Sequence, residues 1–485
     1  MSRPGSLTGK LRQMAENTPE SRDRHIDLLR ALALCAVVLG HWTAAVVVHD
    51  DSGLDGYNLL GVLDWTHPFT WLFQVMPVFF MVGGYANAAS LSSHRRKGGD
   101  DTSWLLSRTD RLLRPTTALL LVLAAGSLTA FLAGVDGDVI GTVSWLASIP
   151  LWFLVAYLAM VFMTPPAFAL HRRWGLAVPA ALAALVLLLD AARMGGGVPV
   201  VGQANYLFTW LAIHQIGFCW WDGQLTHRAR TSALVALTGL GTLILLTSLP
   251  FSPYPVSMVA VPGEELSNTA PPTFALFALA VTQLGIALLL SGPSNRFLRR
   301  TGPWTVVVGA NTVVLTIFLW HMTAVIIAGA ALYWTGVMPQ PEPGSGQWFL
   351  LRVPWLLFLA AVLALLVMLF SPIEGRTAAA GSGRRVGATT VLGVPVPPVL
   401  WRGLTVIALA AVLVGLLNVA LAGDDYDGPA GLPGYALLSY FAGAALLRLA
   451  RVKVHDRAPG SGNGRRPQGN GRSGTGSRGR PRSGE

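Results

Sequence analysis

The stretch IDLLRALALCAVVLGHWTAAVVV holds three ionisable groups, Asp27, Arg30 and His41, in an otherwise apolar run. A charge inside hydrocarbon is costly, so a group kept there is a candidate for function. Asp27 and Arg30 stand at i and i+3 and can pair on one helix face near the membrane surface. His41 follows Arg30 by eleven residues, three turns or ~16 Å further in. Eleven steps of 100° return it to within roughly 20° of Arg30 around the helix. One face thus presents a guanidinium near water and an imidazole deep in the membrane. That arrangement suits general-base or nucleophilic chemistry on a substrate whose charged end stays at the surface. The plainer reading is a snorkelling Arg30 and a His41 bonded to a neighbouring carbonyl.

The segment HRRKGGDDTSWLLSRTDRLLRP carries Arg108, Arg111 and Arg114 at three-residue intervals, ending at Pro115. On a helical turn such a row sets guanidinium forks to one side, which suits phosphate. Topology alone also places basic residues beside a span. Pro77, Gly83 and Gly84 in VMPVFFMVGGYANAAS permit bending and close helix approach. His214 with Gln215, and His321, each sit mid-run; each alone reads more readily as a helix–helix hydrogen bond than as a catalytic group. Tyr157 and Trp152 in LWFLVAYLAM read as packing or interface aromatics. Cys35 and Cys219 lie in apolar runs and read as buried, inert thiols. No metal site is expected, since zinc needs more ligands at closer spacing. Walker, HExxH and GxSxG patterns are absent, which leaves nucleotide hydrolysis, zincin and α/β-hydrolase chemistry without support.

The elements that must position these residues are membrane helices. Of 485 residues, 52% are apolar and only 12% charged, about half the charge of a soluble domain. Apolar runs lie near 26–48, 69–91, 115–134, 144–164, 174–191, 205–221, 232–250, 273–291, 305–334, 348–370, 401–422 and 433–449. Most are long enough to cross ~30 Å of hydrocarbon as helix. With the N-terminus inside, the segments on the cytoplasmic side hold 31 of the 35 Arg and Lys, as the positive-inside rule requires. The expected fold is therefore an all-α polytopic transmembrane bundle of about twelve spans with both termini cytoplasmic. Residues 1–25 form a basic N-terminus, and the first run is read as a retained helix rather than a signal peptide. Residues 371–400 form a cytoplasmic loop, 401–449 an additional pair of spans, and 450–485 a Gly-, Ser- and Arg-rich tail expected to be disordered. That tail carries about +7 of the net charge of +11. It has no aromatic residue for stacking bases, so contact with anionic lipid is expected and nucleic acid is not.

Four of these motifs, in order, resemble the membrane acyltransferase 3 family. DLLRALALCAVVLGH matches that family's Asp, Arg and His spacing in the first span, through Asp27, Arg30 and His41. PVFFMVGGYANA is similar to its second-helix pattern, RTDRLLRP with Arg111 and Arg114 to its Arg-x-x-Arg motif, and LWFLVAYL to its Leu-Trp-Phe-Leu segment. The resemblance spans residues 26–370, a ten-span core. Gly83 stands where Ser is common and Pro150 where His often precedes the Leu-Trp-Phe-Leu segment. The chain has no room for the soluble esterase-like domain that some relatives carry.

The resemblance implies transfer of an acyl group, acetyl first, from cytoplasmic acyl-CoA to a hydroxyl of a glycan, glycolipid or other small acceptor. No permanently bound cofactor is implied. Arg111 and Arg114 would hold the CoA phosphates, with Arg30 assisting there or at the thioester oxygen. His41 would act as general base or carry the acyl group, and Asp27 would orient Arg30. His321, His214 and Tyr157 would support. A transporter or flippase for a lipid-linked glycan or small metabolite would also use intramembrane His and Arg, but would not need a phosphate clamp. A non-catalytic scaffold is a third reading. Ala-, Gly- and Arg-rich usage points to a bacterial source, so the bacterial cell membrane is the expected location.

Overall fold

Lipid offers no water to a backbone N–H, so each apolar run resolves into helix. The computed structural model describes residues 7–20, 22–50, 53–225, 228–333, 335–375, 389–391, 394–423, 426 and 428–455. In chain order the helices are α1 (Leu7–Glu16), α2 (Arg24–Ala44), α3 (Thr70–Phe73), α4 (Met76–Arg96), α5 (Asp101–Leu132), α6 (Gly137–Ser148), α7 (Leu151–Trp174) and α8 (Ala177–Met194). They continue as α9 (Asn205–Trp221), α10 (Ala229–Ser248), α11 (Phe274–Phe297), α12 (Thr301–Thr312), α13 (Val314–Leu332), α14 (Gly346–Gly375), α15 (Pro398–Leu421) and α16 (Gly434–His455). Two short hairpins, β1 (Ala45–Asp50) with β2 (Gly53–Asn58) and β3 (Thr389–Val391) with β4 (Val394–Val396), are the strands among the described residues. The tail from 456 onward and half of the 371–400 loop lie outside them.

Ten helical segments are long and apolar enough to cross a membrane, and the chain is a multi-pass helical bundle. The expected spans at 205–221 and 433–449 fall short of that length. They fold as α9, of 17 residues, and the apolar stretch Gly434–Ala450 within α16. Seventeen residues rise ~25 Å, the short limit for a crossing.

Three runs expected to be continuous are interrupted. The 144–164 run divides into α6 and α7 at Pro150, which has no N–H and favours a helix start. The 305–334 run breaks at Val313, with φ −126 and ψ 15. The first run leaves the helix at Ala44, and its valines continue as β1 against β2, where β-branched side chains fit well. The break at Val313 exposes the first N–H groups of α13. Glu374, at the far end of α14, accepts from Leu315 N at 3.3 Å, Thr316 N at 2.9 Å and Thr316 Oγ1 at 2.6 Å.

The centre of the bundle is the antiparallel crossing of α4 and α9. A Cβ on Gly84 would run into the His214 carbonyl, and one on Gly217 into the Met81 carbonyl. The two backbones therefore touch, and polar side chains one turn away are brought face to face. The α15–α16 pair docks on α5, where the buried Tyr440 hydroxyl donates to the Leu113 carbonyl at 3.2 Å and lies 2.9 Å from Thr117 Oγ1. The N-terminal segment is anchored too: Trp304 of α12 donates its indole N–H to Thr18 at 3.0 Å. Of the two cysteines, Cys219 is buried but Cys35 is exposed. Cys35 shares the outward face of α2 with Leu32 and Leu39, so apolar sequence there means lipid contact, not burial.

Replacing Gly217 with Leu should prevent the α4–α9 contact, while Gly241→Leu, whose Cβ would meet open space, should be tolerated. Overpacking of this kind costs about 1–3 kcal/mol or more. Melting temperatures in detergent decide the matter: equal losses for the two variants would remove the crossing from the account.

Candidate active site

His41 and His321 meet across α2 and α13. His41 Nδ1 lies 2.7 Å from His321 Nε2, and the rings stack with centroids 5.0 Å apart and planes 14° apart. The other nitrogen of His321, Nδ1, is 2.6 Å from the Phe318 carbonyl. A carbonyl only accepts, so Nδ1 of His321 carries the hydrogen. In the neutral pair, Nε2 of His321 must then accept, and His41 Nδ1 must donate. This leaves the lone pair on His41 Nε2. His321 is fully buried, His41 half-buried. Trp42 adds a bond from its indole N–H to the His321 carbonyl at 3.0 Å, so neighbouring residues on α2 hold both the ring and the backbone of His321.

Toward the other end of α2, arginines converge from two helices. Arg30, Arg111 and Tyr157 each lie within electrostatic reach of Arg108. Arg108 points both Nε and Nη2 at Asn87 Oδ1, at 3.2 and 2.8 Å. That fixes the Asn87 amide with its NH₂ toward His214 Nε2 at 3.2 Å and Thr164 Oγ1 at 3.4 Å. Asn87, Thr164 and His214 are all fully buried. His214 accepts through Nε2, which leaves its hydrogen on Nδ1, a buried atom with no hydrogen-bond partner. Arg111 is exposed, and Glu374 is within its electrostatic reach.

The third arginine goes elsewhere. Arg114 pairs with Asp110 at 3.0 Å. Three residues turn a helix by 300°, so each step of the 108–111–114 row rotates the guanidinium by about 60°, and the row winds off one face instead of lining it. Asp27 pairs with Arg30 at i,i+3 as expected, at 3.6 Å, and takes a second arginine more closely. Its carboxylate takes two bonds from Arg22, at 2.6 and 3.0 Å. The Arg22 pKa is raised above its ordinary value by that hydrogen bond.

Aromatic rings join the two regions. Tyr157 stacks on Phe153 at 5.8 Å, Phe153 meets Phe318 at 5.0 Å, and Phe318 lies 5.8 Å from His321. Gly83 makes room for the first of these rings, since a Cβ there would come within 2.7 Å of Tyr157 Cε2. A serine at this position would displace Tyr157. Gln215 donates to the Ala167 carbonyl at 2.9 Å, a plain helix–helix bond. Among the described residues, no group of three or more His, Cys, Asp or Glu is placed to hold a metal.

Of the residues singled out in the sequence, His41 and His321 are brought together, and Arg30, Arg111 and Tyr157 each come within reach of Arg108. His214 belongs to the Arg108–Asn87 network, Arg114 is committed to Asp110, and Asp27 is shared between Arg30 and Arg22. Sequence reasoning missed Asn87 and undervalued Arg108. The available signal was an asparagine within the apolar second-helix run, one turn after Gly84.

Asn87→Leu should leave the half-buried Arg108 guanidinium without its acceptor. The expected loss is about 1–3 kcal/mol or more, read as a lower melting temperature that Asn87→Asp largely restores. Unchanged melting of Asn87→Leu would show that Arg108 finds another partner.

No curated protein and no solved structure matches the chain. Residues 23–372 match the family model described as an acyltransferase domain. That match begins just before α2 and ends within α14, so it encloses the histidine pair, the converging arginines and the rings between them. The chain belongs to the membrane acyltransferase 3 family.

Proposed function

We propose that this acyltransferase moves an acyl group, acetyl first, from cytoplasmic acyl-CoA to a hydroxyl of a glycan, glycolipid or small acceptor at the bacterial cell membrane. The observation that carries the reading is the histidine pair, because its hydrogen bonds leave a lone pair on His41 Nε2. Arg30, Arg108 and Arg111 bind the CoA phosphates through charge-assisted hydrogen bonds. Arg114 contributes less, since Asp110 already holds it. The extended pantetheine arm follows the rings from Tyr157 past Phe153 and Phe318 to His41. Arg30 serves the donor phosphates and not the thioester oxygen, because ~16 Å of helix separates it from His41.

At the thioester, His41 Nε2 takes the proton of the acceptor hydroxyl as its oxygen attacks the carbonyl carbon. The carbon–sulfur bond breaks, the ester forms, and the CoA thiolate leaves with the proton returned by His41. Protonated His41 keeps its Nδ1–H on His321, and that bond strengthens as it becomes charge-assisted. If His41 itself carries the acyl group, Nε2 attacks first and the acceptor displaces it in a second step. His321 positions the ring in both routes.

Purified protein in nanodiscs, given radiolabelled acetyl-CoA, tests the donor half. His41→Ala should fold and lose activity by about 10²–10⁴. Arg108→Gln and Arg111→Gln should raise KM for acetyl-CoA but not for acetyl-pantetheine, which lacks the phosphates. A folded wild type that neither binds nor consumes any acyl-CoA tested would end this reading.

His321→Phe should lower kcat with little change in KM, because the substrate still binds but His41 loses the acceptor that fixes its tautomer. His321→Gln can accept through Oε1 and should recover part of the loss. Equal activity of the two variants would show that His321 acts through packing alone.

A further inference from the structure

Arg352 stands at the opposite end of the bundle from Arg30, a turn and a half into α14. Its Nη1 donates to the Ala45 carbonyl at 3.1 Å, and its guanidinium carbon lies 4.0 Å from the centroid of the Trp348 ring. Tyr57 and Tyr333 are within electrostatic reach. Each of Arg12, Arg22, Arg30, Arg95 and Arg114 has a carboxylate within 4.0 Å. Among the described residues Arg352 has none. A permanent cation set into the end of a span, with no counter-ion among the described residues, is costly, and such groups are candidates for function. Capping the Ala45 carbonyl does not account for it, because a neutral donor would serve there. The guanidinium fork has further N–H groups in one plane, shaped for a carboxylate or phosphate.

Its position gives the charge a use. Ala45 directly follows α2, four residues beyond His41, or ~6 Å along the helix axis. The donor phosphates occupy the Arg30 end, so an acceptor reaching His41 from the far end passes Arg352. We propose that Arg352 holds an anionic group, phosphate or carboxylate, on the acyl acceptor, roughly one helical turn from the hydroxyl that His41 deprotonates. The proposal rests on the acyl-transfer reading above. It narrows the acceptor to an acidic or phosphorylated glycan or glycolipid, held beside the face of Trp348 and beneath the β1–β2 hairpin.

The test uses the full chain in maltoside detergent, which carries no phosphate. Melting is followed with glucose, glucuronate and glucose 6-phosphate, with sodium chloride added to equalise ionic strength. Both anionic sugars should stabilise the wild type and glucose should not. Arg352→Gln should abolish the difference. Arg352→Lys keeps the charge but loses the fork, and should raise the half-saturating concentration at least about tenfold. It also decides the case if Arg352→Gln does not fold. No stabilisation of the wild type by either anion, or equal stabilisation in the variants, would overturn the proposal. A membrane lipid is the competing occupant. If phosphatidylglycerol added to the micelles stabilises in an Arg352-dependent way and the anionic sugars do not, the site binds lipid and the acceptor assignment falls. Transfer of label from acetyl-CoA to the same three sugars separates this proposal from the preceding one. Turnover favouring glucose sinks only the anionic acceptor, whereas anion binding without any acyl-CoA consumption sinks acyl transfer.

Discussion

The Phe318 carbonyl can accept a hydrogen bond and cannot donate one, and the tautomers of the His41–His321 pair depend on that asymmetry. It places a hydrogen on Nδ1 of His321, so Nε2 of His321 accepts and the basic nitrogen of His41 is the one left unbonded. In a serine hydrolase triad a buried carboxylate does this work. Here a neutral imidazole tied to the backbone does it, and no second charge has to be placed in hydrocarbon. The arrangement requires α13 to stand at a definite height beside α2. Trp42 fixes that height from one side through the His321 carbonyl. Glu374 fixes it from another, through the N–H groups exposed where the helix breaks at Val313.

The same economy governs the other polar side chains of the bundle. A buried donor or acceptor has to find its partner within the protein, because lipid supplies none; His214 Nδ1 is one that does not. Arg108 is satisfied by Asn87, Asn87 also by His214 and Thr164, and the whole set depends on the backbone contact between α4 and α9. Arg114, Arg22 and Arg95 are neutralised by Asp110, Asp27 and Asp101. Arg111 at one end and Arg352 at the other keep more of their hydrogen-bonding capacity for a ligand. Between these ends the rings of Tyr157, Phe153 and Phe318 pack in sequence up to His321.

The added pair α15–α16 lies beyond the matched region yet is joined to it at a sensitive place. Tyr440 bonds Leu113 and Thr117 on either side of Pro115, where α5 lacks the N–H that would bond the Arg111 carbonyl. The pair therefore braces the helix that carries Arg108 and Arg111 just beyond its weakest turn.

Much of this was legible in the residues alone. Apolar runs of about twenty residues determined the helices, because backbone satisfaction in lipid has few other solutions. The eleven-residue step from Arg30 to His41 determined that both lie on one face of α2, since helical rotation is fixed by the backbone. The partners were not legible. A histidine mid-span carries no mark of which helix it faces, so His41 with His321 and His214 with Asn87 emerged only when α2, α13, α4 and α9 were packed. The arginine row misled for a related reason: a three-residue interval is not a whole turn, and neighbouring carboxylates decide which guanidinium is already paired. Helix ends at Ala44, Pro150 and Val313 were equally hidden, being set by β pairing, a missing N–H and a capping carboxylate from 58 residues away. Local sequence determined what each segment is. Long-range contact between segments decided which of their polar atoms are spent on the fold and which are left for chemistry, because that depends on partners hundreds of residues apart.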